Sequence, residues 1–167
     1  LIQLLDTAEK LTEAKVLFIL IGDGMEKPLL VKEAEDRGLK NIRFIDPIPK
    51  SEVLKYILAC DIGTSVLKRA EIFKTIYSNK TFDYMACKKP ILLLIDGVSR
   101  ELIEKANCGI FAEPERPDDI ATKIRYCIEH PDELKKMGEN GYLYAKEHFD
   151  RNKLADKYLE YLIKTTK

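Results

Sequence analysis

The 167-residue sequence has no net charge: Lys and Arg together number 28, and so do Asp and Glu. That balance supplies no field to draw the chain to nucleic acid or to an anionic membrane, so no nucleic-acid partner is expected. Long apolar runs are also absent. The longest, VLFILI (Val16 to Ile21) and PILLLI (Pro90 to Ile95), are far too short to cross a bilayer. The four cysteines, Cys60, Cys87, Cys108 and Cys127, form no C-x-x-C pair and sit within apolar runs. They read as small, reduced core residues of a cytosolic protein. Histidine is scarce, with only His130 and His148, and no cluster with metal-ligand spacing is visible. Neither a metal nor another cofactor is expected.

The residues that are present make an ordinary globular chain, 46% hydrophobic and 34% charged. Its length is that of one domain, Leu1 to Lys167. It begins without a methionine in LIQLLDTAEKL, which places Leu1, Leu4, Leu5, Ala8 and Leu11 on one helical face. The chain therefore reads as a piece of a longer protein.

Five apolar segments read as strands: Val16 to Gly22, Asn41 to Ile45, Ile62 to Leu67, Ile91 to Ile95 and Gly109 to Glu113. The first shows no alternation, as expected of a parallel strand covered on both faces. Amphipathic stretches lie between them, at Pro28 to Arg37, Ser51 to Cys60, Asn79 to Cys87 and Arg100 to Ala106. Gly38 suits a helix C-terminus, Ser51 and Ser78 suit N-caps, and Pro117 and Pro131 suit first helical positions. The tail from Asp150 to Lys164 puts Leu154, Tyr158, Tyr161 and Leu162 on one stripe. Strands and helices alternate, then three helices close the chain. That pattern predicts an α/β fold, a doubly wound, Rossmann-like parallel sheet with helices on both faces.

Such a sheet binds ligands at the carboxyl ends of its strands. The first such end, IGDGMEK, offers Gly22 and Gly24 but has Lys27 where a dinucleotide fingerprint needs a third glycine. Taken alone it reads as a tight turn. The segment YSNKTFDYMACKKPILLLI is more informative. With Ser78 as N-cap, the amides of Asn79, Lys80 and Thr81 point out of a helix end, where the macrodipole favours an anion. Lys80 adds a cation suited to phosphate, and Asp83, one turn on, presents a carboxylate able to accept two hydrogen bonds from a vicinal diol. The same residues also describe a capped surface helix with Asp83 solvated or paired to a lysine. Spacing alone does not choose between the two. No nucleophile constellation is visible, since DGVSR is not G-x-S-x-G.

Taken in order, LFILIGDG, NIRFIDPIPKSEVLKYILACDIGTSVL, SNKTFDYMACKKPIL and ELIEKANCGIFAEPERPDDIATKI resemble the C-terminal half of retaining GT-B glycosyltransferases of family 4 (group 1). They are similar in particular to bacterial members that build surface polysaccharides, and the resemblance runs from Leu1 to about Lys164. It implies that Asp83 stands where the family has a ribose-binding glutamate, one methylene shorter. The family's other motif glutamate, which touches the donor sugar, falls on Thr75, a departure; Glu71 is the nearby carboxylate. Tyr77 to Lys80 match the region facing the diphosphate. Asp46 to Lys50 match the base-reading segment, with the Ile48 backbone as contact and Lys50 at its end. Glu101 matches a family glutamate whose role is not assigned.

The resemblance implies a nucleotide-sugar donor as partner, no required metal, and an acceptor-binding N-terminal domain outside this piece. No catalytic residue is expected within the piece, which should be inactive alone. In the family a strand precedes the first helix and lies centrally. Without it, Val16–Ile21 and Ile62–Leu67 should close up, or another chain should fill the place by self-association. The expected location is the cytoplasm, with membrane contact, at its inner face, only through the other half. A nucleotide-sugar 2-epimerase and a non-catalytic interaction module of the same fold are the alternatives.

Overall fold

The five segments read as strands contain the strands, and the amphipathic stretches between them become helices, in a computed structural model that describes residues 1–165. The order is α1 (Ile2–Glu9), β1 (Phe18–Ile21), α2 (Lys27–Asp36), β2 (Ile42–Ile45), α3 (Lys50–Ala59), β3 (Gly63–Val66), a 3-10 turn (Glu71–Thr75) and α4 (Asn79–Ala86). Then follow β4 (Ile91–Leu94), α5 (Val98–Lys105), β5 (Gly109–Phe111), α6 (Pro117–Glu129), α7 (Pro131–His148) and α8 (Arg151–Thr165). Pro117 and Pro131 open their helices as expected, where a missing N–H costs nothing. The expected cap at Ser51 is displaced: α3 begins one residue earlier, with Pro49 in front of it.

The strand pairs are parallel, with Phe18 opposite Ile42, Gly63 opposite Ile91, and Ile91 opposite Gly109. All four residues of β4 are buried, and they alternate between two cores. Leu92 and Leu94 face Leu4 and Leu11 from the α1 side and Ile120, Ala121 and Ile124 of α6. Ile91 and Leu93 face Met85 of α4, Leu102 and Ile103 of α5, and Cys108. Helices therefore cover both faces, as the α/β reading requires. Each such Leu or Ile contributes about 1.5–3 kcal/mol by burial. α7 lies close to the turn that follows α4 because Gly138 carries no side chain: a Cβ there would stand 2.1 Å from the Lys88 carbonyl oxygen.

Of the two outcomes expected for β1 and β3, closing up does not occur: the strands form two ladders, β1–β2 and β3–β4–β5. The two halves are joined instead through side chains. Val16, Phe18 and Leu20 from one and Ile62 and Val66 from the other pack on the same α1–α6 core cluster. Burial against that helix layer holds them without ladder hydrogen bonds between them. Nor is β1 covered on both faces, since Leu17 and Ile19 remain 47% and 38% exposed and α3 buries no residue. The apolar run reflects strand propensity there, not complete burial. α8 likewise buries no residue, and its stripe of Leu154, Tyr158, Tyr161 and Leu162 is exposed. Among the described residues no helix is long and apolar enough to cross a membrane.

Candidate functional site

The loops leaving the carboxyl ends of the strands are drawn together by a few side chains. Lys27, in the first turn of α2, donates to the Gly22 carbonyl at 2.9 Å and to the Ile45 carbonyl at 3.4 Å, and reaches the Asp46 carboxylate at 2.7 Å. The residue that spoils the dinucleotide fingerprint therefore ties the exits of β1 and β2. That contact holds the Asp46 carboxyl below its ordinary value, through the Lys27 hydrogen bond first and its charge second. Gly22 and Gly24 occupy positive φ, 137° and 154°, and Asp23 accepts the Gly24 amide at 2.8 Å, so this turn is built as the sequence suggested.

Gln3, which the sequence did not single out, sews the other half. Buried on α1, it donates to the Leu67 carbonyl after β3 at 3.1 Å and accepts the Glu115 amide after β5 at 2.9 Å. Lys68 pairs with Glu26 at 3.4 Å, which brings the loop after β3 beside the loop after β1. Arg69 pairs with Glu113 at 3.4 Å. Around these residues, with Phe73, Lys74 and Asp96, only a cavity of about 20 Å³ remains, room for one water. A larger hollow of about 590 Å³ lies at the opposite, amino-terminal ends of β1 and β2, lined by residues such as Lys15, Lys40 and Asn41. Neither has the place and size of a ligand pocket of this sheet type.

The start of α4 is different. Ser78 precedes the helix as expected, but its hydroxyl makes no cap bond and donates to the Ser65 hydroxyl at 3.3 Å. The Thr81 amide, expected to point outward, instead donates to the Ser78 carbonyl at 3.0 Å. The amides of Asn79 and Lys80 have no partner among the described residues. Neither the Lys80 ammonium, which is exposed, nor the half-buried Asp83 carboxylate has a hydrogen-bond or ion-pair partner there either. The bland alternative of a lysine-paired Asp83 is thus not what the chain forms. Two free amides, a free cation and a free carboxylate stand on one eight-residue helix at the carboxyl ends of the strands.

The remaining candidates divide. The Ile48 backbone groups have no partner among the described residues, and Lys50 is exposed at the first position of α3. Glu101 is exposed in the first turn of α5, its carboxylate also unpartnered. Glu71 is ion-paired to Lys74 at 2.8 Å, and the Thr75 hydroxyl donates to the Ile72 carbonyl at 3.1 Å. Glu71 is thus paired, and Thr75 carries no carboxylate. Among the described residues no group of three His, Cys, Asp or Glu side chains could hold a metal ion.

A sequence model described as "Glycosyl transferases group 1" matches residues 1–144. An uncharacterized glycosyltransferase of Methanocaldococcus jannaschii is 28% identical over 130 residues, 78% of this chain and 36% of that protein. Among solved structures, Anabaena HepE in complex with UDP superposes with a TM-score of 0.82 at 23% identity, over 97% of this chain and 44% of that one. The C-terminal domain of a glycosyl transferase group 1 family protein, LpcC of Francisella tularensis, superposes with a TM-score of 0.74 at 21% identity, over 89% of this chain and 78% of that one. At these identities the structural likeness establishes the fold. The chain spans less than half the length of the Methanocaldococcus and Anabaena proteins.

Proposed function

The chain belongs to the group 1 glycosyl transferases, and from that premise we propose that it holds the nucleotide-sugar donor at the start of α4. In the whole protein, the reaction is transfer of a hexosyl or N-acetylhexosaminyl group from a nucleotide diphosphate sugar to a glycan or lipid-linked acceptor. The anomeric configuration is retained, and the product serves polysaccharide biosynthesis. The acceptor-binding part lies outside these residues. The observation that carries this reading is the set at α4 left unpaired among the described residues: the Asn79 and Lys80 amides, the Lys80 ammonium and the Asp83 carboxylate. A lysine and an aspartate three apart on a helix have a ready partner in each other. Here both stay open, as a bound ligand with phosphate at one end and a diol at the other requires.

In this reading the α4 amides and Lys80 hold the diphosphate, and Asp83 accepts both ribose hydroxyls. Ile48 reads the base through its backbone groups, with Lys50 beside it, and Gly22 and Gly24 let the first turn approach the donor. The chemical contribution is stabilisation of the charge that builds on the departing diphosphate. The reading requires no metal. Support for donor binding comes from the Anabaena neighbour, solved with UDP and also with UDP-glucose.

Calorimetric titration with UDP, GDP and ADP, in EDTA and without it, tests the proposal. One diphosphate should bind saturably, equally in EDTA, and Asp83→Ala should abolish or greatly weaken it. Retained affinity in Asp83→Ala would remove Asp83 from the site. One observation favours a second reading, a non-catalytic module of the same fold: Thr75 and Glu71 leave no free carboxylate on the loop before α4. That reading requires that none of the three diphosphates binds.

A further inference from the structure

Ser99 lies in the first turn of α5, fully buried, and is no part of the donor site described above. Its hydroxyl nevertheless acts on the loop that leads into α4. It donates to the Ile76 carbonyl at 2.8 Å and accepts the Ser78 amide at 3.3 Å. Two residues earlier, Gly97 has φ of 83° and lies so close to the 3-10 turn that a Cβ would stand 2.1 Å from the Lys74 carbonyl oxygen. The start of α5 therefore grips the preceding loop at Lys74, Ile76 and Ser78.

The third member is Ser65 of β3, also fully buried. A serine in front of a helix ordinarily turns its hydroxyl back onto an amide of the first turn. Ser78 does not, because its hydroxyl goes to Ser65. The consequence is a helix end that is uncapped yet fixed. Ser65 keeps the Ser78 oxygen away from the amides, and Ser99 replaces the anchorage that a cap would have given.

We propose that Ser99 is a positioning residue for the diphosphate, with Ser65 as its complement: together they hold the Asn79 and Lys80 amides open and aimed. This rests on the donor-site reading of α4. Donors aimed in advance need no reorganisation when the anion arrives, which is where a helix end gains over mobile side chains. The effect belongs to the phosphates alone. A nucleoside, which lacks them, should not sense it.

The test uses the 167-residue chain, titrated by NMR so that millimolar affinities are measured, with UDP, GDP, ADP and the parent nucleoside of whichever binds. Ser99→Ala should weaken the diphosphate about fivefold to tenfold, the scale of one misaligned hydrogen bond, and leave the nucleoside within about twofold. Ser65→Ala, which frees Ser78 to cap the helix, should give the same selective loss and carries the comparison where Ser99→Ala does not fold. Equal weakening of diphosphate and nucleoside would make the network merely structural and overturn the inference. Unchanged diphosphate affinity would overturn it too, with the donor site intact. If no diphosphate binds the unaltered chain, the donor-site reading falls and this inference with it.

Discussion

The Lys27 ammonium lies 2.7 Å from an Asp46 carboxylate oxygen while it also donates to the carbonyls of Gly22 and Ile45. The lysine side chain is 19% exposed and the aspartate 94%, so the two partners are unequal. An exposed carboxylate gains little from a pair that water and salt screen. The bonds to the two carbonyls persist when the charge is screened. Lys27→Met should therefore cost about 1 kcal/mol in urea denaturation at any ionic strength. Asp46→Asn should cost less, and its effect should disappear in high salt.

The same pair sets a pH dependence. Lys27 holds the Asp46 carboxyl below its ordinary value, so the folded chain releases that proton more readily than the unfolded one. The resulting stabilisation is present above the unfolded value, about 4, and is lost as pH falls through the lowered folded value. Urea midpoints of the unaltered chain and Asp46→Asn should differ at pH 6 and converge as the pH is taken below 3. A difference that grew in acid would contradict the assigned sign.

Gly138 offers a prediction that runs against helix propensity. In the middle of α7, replacing glycine by alanine ordinarily stabilises a helix by about 1 kcal/mol. Here the new Cβ would meet the Lys88 carbonyl oxygen at 2.1 Å, a backbone atom with no rotamer to yield. Forcing α7 away from the turn after α4 costs about 1–3 kcal/mol as overpacking does, which outweighs the gain. Gly138→Ala should therefore lower the thermal midpoint.

The order of elements was legible because it is written locally. Unbroken apolar runs marked β1 and β4, and Pro117 and Pro131 marked helix starts to the residue. What escaped was whatever depends on residues distant in the chain. Lys27 read as a failed third glycine, whereas its role is set by carbonyls on two strands. Ser78 read as a cap because its neighbours suit one, but Ser65, thirteen residues away, captures the hydroxyl. Gln3 and Ser99 carry no motif at all; their meaning lies in the Leu67, Glu115, Ile76 and Ser78 backbone groups they meet. The sequence left β1 and β3 either closed up or parted with another chain between them, for a related reason. Sequence pattern identifies strands, but the shared α1–α6 cluster decides how the two halves are joined.

Burial sets the order in which the four thiols react. Cys108 and Cys127 are buried, and loss of solvation pushes their thiols up to about 12 and about 11. Cys60 and Cys87 are half-buried and raised by the same cause. Because the thiolate is the reactive form, an aromatic disulfide reagent at pH 8 should label Cys60 and Cys87 slowly and the other pair only on unfolding. The raised values also mean that the folded chain holds these protons longer than the unfolded one. Their stabilising contribution is complete below the unfolded value of about 9 and is lost as pH rises through the folded values.

The donor site itself separates into two chemical tasks, which substitutions at Lys80 and Asp83 should resolve. Lys80 carries an ammonium with no other partner among the described residues, so in the proposed role it meets only phosphate. Lys80→Ala should weaken the bound nucleoside diphosphate about tenfold or more, leave the nucleoside alone, and flatten the salt dependence of binding. Asp83 meets the diol. Asp83→Asn, which keeps the shape but removes the charge, should weaken diphosphate and nucleoside by the same factor, also about tenfold or more. Neither the unaltered chain nor Asp83→Asn should then distinguish itself on a 2′,3′-dideoxy nucleotide, because the groups that the carboxylate accepts are absent. If the dideoxy compound still bound Asp83→Asn less tightly than the unaltered chain, the carboxylate would be stabilising α4 rather than holding a ribose.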